Sequence, residues 1–215
     1  MAGLRLIILG APGSGKGTQA SRIAAEKGLR HLSTGDMLRD AVARKTEIGL
    51  LAAEYMQKGL LGPDEIIFSL MREGLAAAAE SGWILDGFPR TLAQAEELDR
   101  MLAERRERID RVVNIEVDPE LIVRRLSNRR VCPKCKAVYN LDTIATKTPG
   151  RCDACGAEIV KRPDDEEATI RKRLEVYNGQ TAPVIDHYRT RGGLVTVNGA
   201  NGIEEIFAEI IRALK

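Results

Sequence analysis

The chain switches between two hydrophobic rhythms. Short, nearly unbroken apolar runs precede Gly10 and recur at residues 29–32, 83–85, 112–117 and 194–197. Between them, apolar residues return every three or four positions, over residues 17–27, 33–58, 63–80, 91–107, 119–128, 165–189 and 203–213. A continuous apolar run reads as a strand buried on both faces, and the three-to-four spacing reads as a helix with one apolar stripe. Strands alternating with helices predict an α/β fold: a five-stranded parallel sheet flanked by helices on both faces. Gly28 closes the first helix, Ser33 to Asp36 form a capping-type start, and Pro63 and Pro119 sit where proline opens a helix. Over residues 129–163 the periodicity disappears and cysteine, proline and glycine take over, which predicts an inserted subdomain.

The first strand breaks abruptly into Gly10-Ala11-Pro12-Gly13-Ser14-Gly15-Lys16-Gly17-Thr18. Glycines at 10, 13, 15 and 17 permit positive φ and let successive backbone N–H groups surround an anion at a helix N-terminus, and Lys16 adds a full charge. The strict phosphate-loop pattern places Ser or Thr directly after the lysine, whereas here Gly17 follows it and Thr18 comes one residue later. A second cluster, Asp86-Gly87-Phe88-Pro89-Arg90, stops the strand at 83–85 at its carboxyl end, where α/β proteins place ligand groups. Arg39, Arg90, Arg129, Arg162 and Arg173 stand at positions from which they could converge on one anion, although a solvated face explains any one of them alone. Trp83 is expected in the core. His31 and His187, distant from the cysteines, are expected to be structural or surface residues.

Composition narrows the function. At 215 residues the chain can bury a sizeable core, and 33 basic against 31 acidic residues leave a net charge of +2. That balance argues for neither nucleic acid nor a membrane surface as partner. No apolar run approaches the ~20 residues that span a bilayer, and the first strand begins near residue 4, so a cytoplasmic location is expected. No apolar heptad or long apolar edge points beyond a monomer. Cys132-Pro133-Lys134-Cys135 and Cys152-Asp153-Ala154-Cys155, sixteen residues apart, have the spacing of two thiolate knuckles closing on one tetrahedral zinc. Four ligands leave no open position, so the ion would be structural. It would stabilise a segment too short to build a core. A pair of disulfides or a redox CxxC competes with this reading. A nucleic-acid zinc ribbon would want a basic stripe with interleaved aromatics, which the segment lacks.

The loop at residues 10–18 resembles that of the nucleoside monophosphate kinases. Thr34-Gly35-Asp36-Met37-Leu38-Arg39, Asp86-Gly87-Phe88-Pro89-Arg90-Thr91, Arg129-Arg130, Arg162-Pro163-Asp164-Asp165 and Arg171-Lys172-Arg173 follow in an order and spacing similar to the adenylate kinase family, over essentially the whole chain. The cysteine insert resembles the zinc-bearing lid of its long bacterial form. The resemblance implies a P-loop core at 1–32, 63–128 and 166–215, an AMP-binding insert at 33–62 and a lid at 129–165. It implies reversible, magnesium-dependent phosphoryl transfer from ATP to AMP, giving two ADP. ATP would lie on Gly13, Ser14, Gly15, Lys16, Gly17 and Thr18, with Arg129, Val138 and Tyr139 from the lid and the Asn201 backbone beside adenine. AMP would meet Thr34, Arg39, Leu60, Leu61, Gly62, Gly87, Phe88, Pro89, Arg90 and Gln94, with Arg162 and Arg173 closing on the phosphates.

Phosphoryl transfer needs positioning and charge neutralisation more than covalent chemistry, a task suited to Lys16, Arg90, Arg129, Arg162 and Arg173 without a general base. Asp86 would hold magnesium through water, with Thr18 sharing that task, and Cys132, Cys135, Cys152 and Cys155 would hold zinc. Asp164 and Asp165 would serve the closed lid, or supply an acidic first turn to the next helix. Two rivals are a UMP/CMP kinase and a nucleotide-regulated, nucleic-acid-binding zinc ribbon. The former typically has a short lid without cysteines, and Thr34 and Gln94 suit adenine. The latter leaves Arg39, Arg90 and Gln94 without a purpose.

Overall fold

The computed structural model describes residues 3–78 and 81–214. The far end of the helix expected at 63–80 lies outside them. Five strands, β1 (Arg5–Gly10), β2 (Arg30–Ser33), β3 (Trp83–Asp86), β4 (Arg111–Glu116) and β7 (Leu194–Asn198), form a sheet in the order β2-β3-β1-β4-β7. Every pairing is parallel, as expected. Its register aligns Ser33 and Ile8 with Asp86, so the carboxyl ends of β1, β2 and β3 open on one place.

Alternation along β1 sorts the core. Ile7 and Leu9 face one side with Trp83, Leu85, Met71, Leu98 and Val184, under α4 (Asp64–Ala77), α5 (Leu92–Glu104) and α8 (Ala182–Arg191). Leu6 and Ile8 face the other with Ile84, Val113 and Ile115, under α1 (Lys16–Lys27) and α9 (Ile203–Ala213). Trp83 is wholly buried, as the sequence predicts. Full burial of each such side chain is worth roughly 1.5–3 kcal/mol, which makes this two-sided core the main support of the site.

Two expected helical stretches are divided. The stretch at 33–58 becomes α2 (Thr34–Ala43) and α3 (Glu47–Gln57), because Lys45 takes a left-handed φ of 54° and the Thr46 side chain caps a new start by accepting from the Gly49 N–H. Such a cap contributes about 1 kcal/mol. The stretch at 165–189 becomes a short 3-10 turn at Pro163–Asp165, then α7 (Glu167–Val176), a π-helical turn at Tyr177–Thr181, and α8. Pro119 opens α6 (Pro119–Ser127), which leads into the cysteine insert. There β5 (Arg129–Val131) pairs antiparallel with β6 (Val138–Asn140), the one small sheet of the insert among the described residues.

Candidate active site

The phosphate loop joins β1 to α1. Gly10, Gly13 and Gly15 have positive φ as expected, while Gly17 lies inside α1 and does not. Gly10 is required twice over: its φ is +145°, and an added Cβ would lie 2.7 Å from the Ile115 carbonyl oxygen. Gly17 matters for a different reason. An added Cβ there would lie 3.2 Å from Oδ2 of Asp86, so the carboxylate at the end of β3 stands beside the position where the strict pattern carries a hydroxyl side chain.

Lys16 lies among Asp86, Arg90, Arg129 and Arg173, and its Nζ donates to the Ala11 carbonyl at 3.1 Å. Burial, then repulsion from the three arginines, brings its pKa down to about 7 against the opposing pull of Asp86. Burial likewise lowers Arg90 and Arg162 to about 10. The buried Nε of Arg162 has no hydrogen-bond partner among the described residues. Cations crowded together under burial in this way suit an anion with several charges.

Two of these arginines are each held by an aspartate. Arg129, at the entry to the insert, makes a two-pronged pair with Asp165 at its exit (2.8 and 2.5 Å), and Arg173 on α7 donates to Asp164 at 2.9 Å. Asp165 is wholly buried. Bidentate geometry and burial set this pair apart from exposed ion pairs worth ~0–1 kcal/mol, because removing one partner would leave a buried charge.

A second region opens between α2, α3, α4 and α5. The lining of one pocket brings together Lys16, Thr34, Arg39, Leu60, Leu61, Gly62, Gly87, Pro89, Arg90, Gln94 and Arg173 of the expected residues. Thr34 Oγ1 and Arg90 Nε both donate to the Gly87 carbonyl at 2.7 Å, tying the ends of β2 and β3 together. Arg39 is paired with Asp36 at 2.6 Å. Arg162 and Phe88 are outside this lining. Phe88 is instead wholly buried in the core, leaving its backbone as the part near the pocket.

The residues expected around the other nucleotide come from the loop after β1, from the cysteine insert and from the turn after β7. Ser14 is buried in the loop, Asn201 lies in the turn after β7, and Val138 is exposed on β6. Tyr139 turns its side chain inward, where its hydroxyl lies 3.3 Å from Cys152 Sγ and accepts from the Asp153 N–H. Its ring therefore supports the cysteine cluster.

The four sulfurs lie within 4.8 Å of one another, and the pairs Cys132–Cys155 and Cys135–Cys152 are each 3.4 Å apart. These separations are too long for disulfides, and all four thiols are free. Tetrahedral thiolates around zinc would stand about 3.8 Å apart, so the donor set fits that ion with a small adjustment. The two knuckles match: the N–H of residue 136 returns to the carbonyl of Cys132 as that of Gly156 does to Cys152, with left-handed φ at Lys136 (65°) and Gly156 (71°).

Several contributors escape sequence reasoning. His31, expected to be structural or at the surface, places Nε2 3.3 Å from Asp86 Oδ2, with Nδ1 3.2 Å from Ser21 Oγ. Burial works to raise the Asp86 pKa, but the His31 contact and the Lys16 charge hold it below the usual carboxylate value. Asp64 reaches Gln94, Val176 lines the pocket from the end of α7, and Tyr177 and Thr181 line it from the π-helical turn. The available signals were weak: Gly179 as a poor helix former, and Pro63-Asp64, which a helix start already explains.

A family model described as adenylate kinase matches residues 8–193. The chain is 48% identical to an adenylate kinase of Caldicellulosiruptor saccharolyticus over 212 residues, covering 98% of this chain and 99% of that protein. It is 50% identical to one from Archaeoglobus fulgidus over 208 residues, 96% of each. A third, from Carboxydothermus hydrogenoformans, is 48% identical over 213 residues, 99% of this chain and 100% of that protein.

Proposed function

The chain belongs to the adenylate kinase family and transfers a phosphoryl group reversibly from ATP to AMP, giving two ADP; we propose that it does so between the phosphate loop and the pocket under α2 and α3. The observation carrying this reading is the convergence of Lys16, Arg90 and Arg173 on one pocket that also holds Thr34, Arg39 and Gln94. ATP phosphates would rest on Gly13 to Thr18 with Arg129 beside them, with Val138, the Tyr139 backbone and Asn201 toward the base, and AMP would occupy the pocket. Lys16, Arg90, Arg129, Arg162 and Arg173 would spread the charge of the transferring group, and Asp164 and Asp165 would hold two of them in position.

Magnesium, needed by adenylate kinases in general, suits the ionised Asp86 beside Gly17, and Thr18 would share in holding it. Held there, the ion would supply neutralisation of phosphate charge. The four cysteines of the lid would hold a structural zinc. No described helix is long and apolar enough to cross a membrane. A cytoplasmic, monomeric enzyme, independent of nucleic acid, is the proposal.

The deciding experiment measures ADP formation from MgATP with AMP, CMP, UMP or GMP as acceptor, alongside Lys16→Ala. AMP as the preferred acceptor, with activity reduced at least a hundredfold in the variant, is the expected result. Preference for a pyrimidine would overturn the placement of AMP against Thr34 and Gln94.

A further inference from the structure

Gln94 near the start of α5 is almost wholly buried, and both ends of its carboxamide are held. Its Oε1 accepts from the backbone N–H of Arg90 at 2.7 Å, and its Nε2 donates to Oδ1 of Asp64, the first residue of α4, at 2.7 Å. A carbonyl oxygen has a second lone pair and a primary amide a second N–H, so one acceptor site and one donor remain for a ligand. The two ends cannot exchange without loss. A flipped amide would set its NH2 against the Arg90 N–H and its oxygen against the Asp64 carboxylate, replacing two hydrogen bonds by two repulsive contacts.

We propose that Asp64 is a positioning residue that sets base specificity: by holding Gln94 in one orientation, it makes the pocket accept a 6-aminopurine and reject a 6-oxopurine. The inference rests on the reading of Gln94 as the residue facing the base of the acceptor nucleotide. An adenine edge offers an acceptor at N1 and a donor at N6, matching the remaining N–H and lone pair of the fixed amide. Hypoxanthine reverses both, with a donor at N1 and an acceptor at O6. It would need the flipped amide that Asp64 opposes. Because such a site leaves buried polar groups unpaired with the wrong base, the discrimination is large for a one-group change in the ligand. The backbone N–H of Arg90 acts in the same direction, but Asp64 is the partner that a substitution can neutralise, since a carboxylate only accepts while an asparagine amide can also donate.

The test compares kcat and KM for AMP and IMP at saturating MgATP in the unsubstituted protein, Asp64→Asn, Asp64→Ala and Gln94→Leu. In Asp64→Asn the ratio of kcat/KM for IMP to that for AMP rises at least about fivefold, through the KM of the acceptors, with the KM for ATP unchanged. A merely structural role would lower turnover of both acceptors together and leave the ratio in place, which would overturn the proposal. Asp64→Ala is scored by the same ratio and carries the test if the asparagine variant does not fold. Gln94→Leu separates the two failures. If it erases the preference for AMP while both Asp64 variants keep it, the role of Asp64 is wrong and Gln94 still reads the base. If Gln94→Leu keeps the preference, the reading of Gln94 itself fails.

Discussion

Lys16 joins the local chemistry of the loop to the charge of the whole site. With a pKa near 7, set by burial and then by the surrounding arginines, it is only partly protonated in the free protein at neutral pH. A polyphosphate beside it favours the charged form and raises that value. As pH rises through 7 the free protein loses a proton that the complex retains, so binding must pull one back from solution. The KM for MgATP therefore rises above pH 7, by up to about tenfold per unit, while kcat, which reports the complex, stays nearly level. Steady-state kinetics between pH 6 and 9 check this, and a KM independent of pH would contradict it. His31 belongs to the same scale. Its contact with Asp86 helps to keep ionised a carboxylate that burial alone would tend to protonate.

Among the elements, the cysteine insert depends most on something other than apolar burial. Its small cluster consists of Cys132, Tyr139, Cys152 and Ile159, with few partly buried neighbours, against two extensive clusters on the faces of the sheet. Metal binding at such a site contributes folding free energy directly. Removing the metal with a chelator, or introducing Cys152→Ser, is therefore expected to abolish amide-exchange protection in β5 and β6 while the strands of the main sheet keep theirs. Loss of protection throughout the sheet on chelation would show that lid and core unfold as one unit. The Arg129–Asp165 pair closes the base of this element by joining its two ends, so the order of the lid and the position of an arginine in the site are coupled.

At the scale of the whole molecule, phosphoryl transfer requires the arginines to assemble and water to be excluded in the same movement. The segment at 33–62 touches α7 at Gly59. A Cβ there would lie 3.1 Å from both Cγ of Arg173 and the carbonyl oxygen of Thr169, at a φ of +69° that L residues rarely adopt. Gly59→Val therefore pushes that segment away from the helix that carries Arg173. A misplacement near 1 Å can cost on the order of a hundredfold in rate, so kcat/KM for AMP should fall by at least tenfold with the KM for MgATP little changed. Equal losses for both substrates would instead indicate damage to the core.

Sequence alone determined what depends on neighbours along the chain. The glycines and Lys16 specify a loop because backbone freedom and charge at fixed offsets act locally, and unbroken apolar runs specify strands covered on both sides. The paired CxxC motifs specify four thiols at one point. Tertiary structure decided which side chains meet. Asp64 with Gln94, His31 with Asp86 and Arg129 with Asp165 are 30, 55 and 36 positions apart. Each of the three residues missed or given only a general role had a sufficient local explanation: a helix start for Asp64, an isolated histidine in a strand for His31, an acidic first turn for Asp165. The breaks at Lys45 and at Tyr177–Thr181 were hidden for the same reason, since apolar spacing continues through them while the backbone does not. Hydrophobic period records which face of an element is buried. The partners that a polar group finds on that face depend on sheet register and helix docking, which no single stretch of the chain contains.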